Sequence, residues 1–163
     1  MAATSFRSQG PMQLLTEPFT FLDDPAVPTF DPPDHFTVMD ADCGLCARGA
    51  AWIARNDAEQ KFRIVPVQSE LGAALLRHYG MNPEDPLSWL YIAKGHAHTS
   101  LDAIIRVGQE LGGAWKILAV FKLLPRRAQD YLYGIVARNR YRLFGRKSFC
   151  DTPDPKIQSR ILL

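Results

Sequence analysis

Phe36-Thr37-Val38-Met39-Asp40-Ala41-Asp42-Cys43-Gly44-Leu45-Cys46 is the stretch that decides how this chain is read. Phe36 to Asp40 is a short apolar run, the pattern of a buried strand. Cys46 to Asn56 holds helix formers and no proline. The two cysteines therefore sit where a strand hands over to a helix. The first N–H groups of a helix lack partners and carry the positive end of its dipole. A thiolate is favoured there, so Cys43 is expected to have a lowered pKa and to be the more exposed sulfur. Cys46 lies one turn on and can swing its sulfur to Cys43. Gly44 leaves room for a partner polypeptide. Asp40 and Asp42 add negative charge, which predicts only a modest lowering at Cys43.

Working outward, Phe62 to Val67 reads as a second strand, with Pro66 suggesting an edge. Leu71, Ala74, Leu75 and His78 form a helical stripe that Gly80 ends. Leu87 to Ala93 reads as a third strand, and residues 96–99 as a fourth after the Lys94-Gly95 turn. Ser100 is placed to cap a helix striped by Leu101, Ile104, Ile105, Gly108 and Leu111. The fold class is therefore α/β, with the order β-α-β-α-β-β-α. That is the thioredoxin order, and it favours redox chemistry over half a zinc site or inert core cysteines. Two further helices follow, striped by Ile117, Val120, Phe121 and Leu124, then by Leu132, Ile135, Val136, Asn139 and Leu143.

The organisation has three parts. Residues 1–34 form an acidic leader with six of the twelve prolines, one basic and five acidic groups. It reads as flexible, or as an arm laid over the domain by Phe19, Phe21 and Phe30, with docking onto the basic segment open to it. Residues 35–113 form the thioredoxin-like core. Residues 114–163 form a helical extension packed on the core, and 115–147 carry nine basic groups against one acidic.

Length and composition exclude several classes. At 163 residues and 47% hydrophobic, the chain is one domain's worth and needs no staples. No apolar run reaches the ~18 residues of a membrane span. No secretory signal is visible, so three cysteines are expected in a reducing cytosol.

Asp40-x-x-Cys43-x-x-Cys46 after a hydrophobic strand resembles the signature of the DCC family of predicted thiol-disulfide oxidoreductases. Phe62 to Ser69, with its proline-x-glutamine-serine ending, is similar to that family's second strand. Ser100 with Asp102-Ala103, Leu124-Pro125-Arg126 with Tyr133, and Arg140-Tyr141-x-x-Phe144-Gly145-Arg146 followed by Cys150 continue the resemblance over roughly residues 36–151. Ala41 departs from it, standing where the family usually has glycine. The resemblance implies a thioredoxin-like fold and dithiol–disulfide exchange.

The candidate site is then Cys43 as attacking thiol, Cys46 as resolving thiol and Asp40 as the carboxylate that handles the resolving thiol's proton. Asp40 has a structural alternative, accepting backbone N–H bonds at the junction. Asp42 is read as a helix cap or solvated charge, Pro86 as a trans proline starting the third strand with a cis proline facing the pair as the alternative, and Cys150 as a thiol close to the pair but not bonded to it. His96 and His98 read as a surface pair, His78 as a half-buried core residue. No heme, flavin or nucleotide motif is present, and neither cofactor nor metal is expected. The expected partner is a protein or small-molecule disulfide or dithiol, not nucleic acid. Two rivals remain: a non-catalytic module that docks a partner or a membrane surface through its basic helices, and a Mg²⁺-dependent phosphatase-like site on Asp40 and Asp42, with Glu84-Asp85 as its further acidic pair.

Overall fold

The computed structural model describes residues 17–149 and 154–162. Four strands form a mixed sheet in the order β2-β1-β3-β4. They are β1 (His35–Met39), β2 (Phe62–Pro66), β3 (Leu90–Ala93) and β4 (His96–Thr99). β1 runs parallel to β2 and antiparallel to β3, and β3 pairs antiparallel with β4. With helices on both faces, this is an α/β architecture consistent with a thioredoxin-like fold.

The alternation along the strands sorts the core into two layers. Phe36 and Val38 of β1, Val65 of β2, and Leu90 and Ile92 of β3 face one side. Helix α2 (Glu70–His78) covers that side with Leu71, Ala74 and Leu75. Met39, Phe62, Ile64 and Tyr91 face the other. There α1 (Gly44–Asn56) packs through Ala47, Ala50, Ile53 and Ala54, and α3 (Ser100–Leu111) through Ala103 and Val107. The small residues of α1 let its axis approach the sheet closely.

Several expectations shift by a few residues. The third strand starts at Leu90, because Ser88 and Trp89 are used by the loop: the Ser88 hydroxyl accepts the Ser100 N–H at 2.7 Å. Ser100 is therefore not the cap of α3. Thr99 occupies that position, and Ser100 takes a left-handed φ of 56° as the first helical residue. At α2 the cap is Ser69, whose Oγ accepts from the Gly72 N–H at 3.0 Å.

Beyond α3, the left-handed Gly112 and Gly113 turn the chain into a 3-10 helix, Gly113–Leu123, rather than an α-helix. It packs back on α3, where Leu118 and the Trp115 carbonyl fill the space a side chain at Gly108 would need. Helix α4 (Arg126–Phe144) follows, ended by Gly145 at φ 69°. The short α5 (Pro155–Gln158) precedes a tail that pairs with β2: the Ile64 N–H donates to the Arg160 carbonyl and the Leu162 N–H to the Ile64 carbonyl, both at 2.8 Å. The β2 edge that Pro66 suggests is thus covered.

The leader's described part lies on the α2 face, not on the basic segment. Phe21 is fully buried there, stacked with Phe30 and edge-on to Phe36. His78 holds it, with its two ring nitrogens at 2.9 Å from Thr20 Oγ1 and 2.6 Å from Asp24 Oδ2.

Candidate functional site

β1 ends at Met39, and the chain turns through Asp40 to Asp42 into α1. Cys43 is the N-cap of α1, with extended backbone, and Cys46 lies in its first turn. The helix geometry is the one expected. The exposure is not: Cys43 is fully buried, while Cys46 is half-buried. The cause is a segment more than a hundred residues away in sequence. After Gly145 the chain returns antiparallel to residues 41–44. Gly44 N–H donates to the Gly145 carbonyl at 3.0 Å, Lys147 N–H to the Asp42 carbonyl at 3.1 Å, and Phe149 N–H to the Ala41 carbonyl at 3.1 Å. Arg146 bridges Cys43 directly. The space beside Gly44 is accordingly taken by the chain itself. A Cβ there would lie 2.2 Å from the Phe144 carbonyl oxygen, so only glycine fits. Cys150 lies outside the described residues, but the return that leads to it passes the pair.

Both thiols are free. The Cys46 thiol donates to the Cys43 sulfur, which lowers the Cys43 pKa. Burial opposes this, and the N–H groups of Cys46 and Leu45 and the charge of Arg140 reinforce it. The net is a thiol pulled down to about 6. Cys46 moves up: it gives its proton to the hydrogen bond, is buried, and faces the charges of Cys43 and Asp40. The lowering at Cys43 exceeds the modest one expected because the Cys46 thiol donates directly to its sulfur, which is the largest of the causes. Asp42 is exposed to water. Asp40 is buried and heavily partnered.

Asp40 Oδ1 accepts the Asp42 N–H at 3.0 Å and Gln68 Nε2 at 2.8 Å, and Oδ2 accepts the Tyr141 hydroxyl. Arg140 Nη2 approaches Oδ2 at 3.9 Å. Gln68 also takes the Ala41 N–H on its own oxygen at 3.0 Å. The junction role foreseen for Asp40 is thus present, and the same carboxylate stands close enough to raise Cys46. Arg140 is held by the Pro86 carbonyl at 2.6 Å, Asp85 at 3.4 Å and the Tyr141 hydroxyl at 3.2 Å. No peptide bond is cis among the described residues, so Pro86 is trans, and its carbonyl orients the guanidinium. An open cleft of about 300 Å³ reaches this network, walled by Asp40, Gln68, Pro86, Tyr141 and Arg146. Asp42, Glu84 and Asp85 line it too, so the acidic residues of the phosphatase-like rival do converge. Among the described residues, however, no cluster of His, Cys, Asp and Glu is arranged to hold a metal ion.

Of the foreseen site residues, Cys43, Cys46 and Asp40 come together. Arg140, Tyr141 and Gln68 join them without having been assigned a role. One signal was available: Arg140 falls in step with Gln129, Tyr133, Ala137 and Phe144, and that is the buried face of α4. His96 is exposed, and His98 pairs with Asp102 at 3.1 Å.

The two sulfurs compete in opposite senses for an alkylating agent. Cys46 is the more exposed, but its raised pKa leaves almost no thiolate at pH 7, and ionisation outweighs partial access. Iodoacetamide with peptide mapping is expected to label Cys43 first, its rate rising through an apparent pKa near 6. Preferential labelling of Cys46 would overturn the assignment. In Arg140→Gln the same titration is expected to move up, by roughly one unit or less. An unmoved midpoint would show that Arg140 does not act on the sulfur.

The DCC1-like thiol-disulfide oxidoreductase family matches residues 37–146. An uncharacterised Bacillus subtilis protein, YuxK, is 32% identical over 130 residues, covering 80% of this chain and 95% of its own. A chloroplastic DCC family protein of Arabidopsis thaliana is 30% identical over 115 residues, covering 70% of this chain and 67% of its own. No solved structure matches the chain.

Proposed function

This chain belongs to the DCC1-like thiol-disulfide oxidoreductase family, and on that premise we propose that it exchanges disulfides through Cys43 and Cys46. The single observation that supports this best is the split between the two thiols: one pulled down to about 6, the other pushed up, by one shared hydrogen bond. Attack needs a thiolate and resolution needs a reserve thiol, and the pair supplies both at neutral pH.

Once the 145–149 return is displaced from it, the Cys43 thiolate attacks one sulfur of a partner disulfide. The partner's other sulfur leaves as a thiolate, and a Cys43–partner mixed disulfide forms. Cys46 then loses its proton and attacks the Cys43 sulfur. The partner's second sulfur leaves, and Cys43 and Cys46 are joined. Two electrons have passed to the partner, and an external dithiol must restore the pair. Asp40 is the base we assign to the Cys46 proton, since its charge bears on Cys46 and the cleft beside it opens to water. The substrate class is a protein or small-molecule disulfide. In a reducing compartment such as the cytosol the direction is reduction. The low Cys43 pKa stabilises the reduced pair, so the protein is expected to be a milder reductant than one with an ordinary thiol.

Mild oxidation followed by peptide mapping tests the reading. The expected product is a peptide joined through Cys43 and Cys46, and the reduced protein is expected to accelerate insulin reduction by a dithiol. Two free thiols persisting at these positions after oxidation would sink it. No helix among the described residues is long and apolar enough to cross a membrane.

A further inference from the structure

The C-terminal helices present the wrong face to water. On α4, the stripe expected to pack is Leu132, Ile135, Val136, Asn139 and Leu143, yet its four apolar residues are exposed and only Asn139 is half-buried. The face that packs carries Gln129, Tyr133, Ala137 and Arg140 instead. The preceding 3-10 helix repeats the pattern. Three residues per turn place Ile117, Val120 and Leu123 on one line, and they are 72%, 53% and 84% exposed. Trp115 and Leu118, on another line, turn inward, Trp115 to Trp52 and Asn56 of α1 and Leu118 to Gly108 of α3. Single exposed aliphatics are ordinary; two stripes in succession, running roughly 12 and 16 Å, are not.

Each stripe is flanked by cations. Lys116 and Lys122 occupy the third line of the 3-10 helix, and both are exposed. On α4, Arg127, Arg138 and Arg142 recur with Tyr131 at spacings of four, seven and four, a row beside the apolar one, and all are exposed. Asp130 is the single acidic group from 115 to 147.

We propose that this face docks on an anionic lipid surface, the apolar stripes entering the headgroup boundary and the Lys and Arg rows contacting phosphates. An aliphatic stripe bordered by long basic side chains is the layout of a helix lying in a membrane interface. Two other occupants fit less well. In a symmetric dimer the same patch meets itself, which sets basic rows near basic rows. The described part of the leader, residues 17–34, lies on the opposite side of the sheet, through Phe21 and His78.

The test is co-sedimentation of the full-length protein with vesicles of phosphatidylcholine mixed with phosphatidylglycerol, and of phosphatidylcholine alone, at low and high salt. Binding is expected to the mixed vesicles only, weakening with salt. Arg127→Gln with Arg138→Gln and Arg142→Gln is expected to lose on the order of a hundredfold in partitioning. Ile117→Ser with Leu123→Ser is expected to lose binding while keeping the parent's disulfide exchange and circular dichroism. Equal binding to both vesicle types, unchanged partitioning of either variant, or no binding at all would overturn the proposal. So would a parent that is dimeric and an Ile117→Ser/Leu123→Ser form that is monomeric, which would make the face a contact between copies. None of the outcomes that would overturn the proposal depends on the cysteine chemistry.

Discussion

Cys43→Ser is expected to reduce insulin disulfides no faster than the uncatalysed dithiol, and Cys46→Ser to accumulate a mixed disulfide with its substrate. The asymmetry comes from the local structure. Cys43 caps α1, where the Cys46 and Leu45 N–H groups and the Cys46 thiol converge on its sulfur. A serine hydroxyl there is not ionised near neutrality and does not attack sulfur, so the first step is lost. Without Cys46, the first step still occurs but the adduct has no internal thiol to release it. Cys46→Ala, which has no donor at that place, also removes the largest cause of the lowered pKa, so its Cys43 is expected to titrate higher and to form the adduct more slowly at pH 6 than at pH 8. Non-reducing gels and mass spectrometry read both outcomes. Parent-level reduction by Cys43→Ser would refute the mechanism. A trapped adduct at Cys46 in Cys43→Ser would reverse the roles.

The largest expected stability effect lies far from the cysteines, at Arg160. Its guanidinium meets Asp57 Oδ2 at 2.5 Å, and Nη2 also reaches the Asp57 carbonyl at 2.9 Å. Both side chains are buried. Asp57 closes the C-terminus of α1 and accepts the N–H groups of Lys61 at 3.1 Å and Phe62 at 3.0 Å, so it ties α1 to the start of β2. Arg160 also anchors the tail strand that covers β2. Removing one member of a buried pair strands the other's charge, which typically costs about 3–5 kcal/mol. Arg160→Met is therefore expected to lose about 3–5 kcal/mol from a margin that for a typical domain is about 5–15 kcal/mol. Chemical denaturation checks this, and a loss below about 1 kcal/mol would show that water reaches the pair. Asp57→Asn with Arg160→Met removes both charges and is expected to recover part of the loss.

Much of the fold was legible because it is written in short-range patterns. A short apolar run marks β1, a β-branched and aromatic run marks β2, the Lys94-Gly95 turn marks the start of β4, and the glycines at 80 and 145 end helices by taking left-handed φ. The cysteine pair was legible for the same reason: its place at the start of α1 follows from a strand, a turn and a helix adjacent in sequence. Hydrophobic periodicity failed at α4. It identified a helix but chose the wrong face, since Leu132, Ile135 and Val136 make the stronger apolar stripe, while the buried face is led by Gln129 and Arg140. Burying an arginine is favourable only if acceptors await it, and these come from Pro86, Asp85 and Tyr141, none of which helical spacing reveals.

From its residues alone, the chain specified the α/β order, the helix N-terminus that receives Cys43 and the one-turn separation that lets Cys46 reach it. Those depend on backbone sterics, dipoles and periodicity, which act over a few residues. Only tertiary structure decided that Cys43 is covered and that Asp40 is partnered. The Tyr141 bond to Asp40 spans 101 positions of sequence, and the Gly145–Gly44 bond closes over the same junction. Such contacts arise because α4 must lay one face on α1 and α3. That choice is made by complementary polar groups across the interface, and no local rule encodes them.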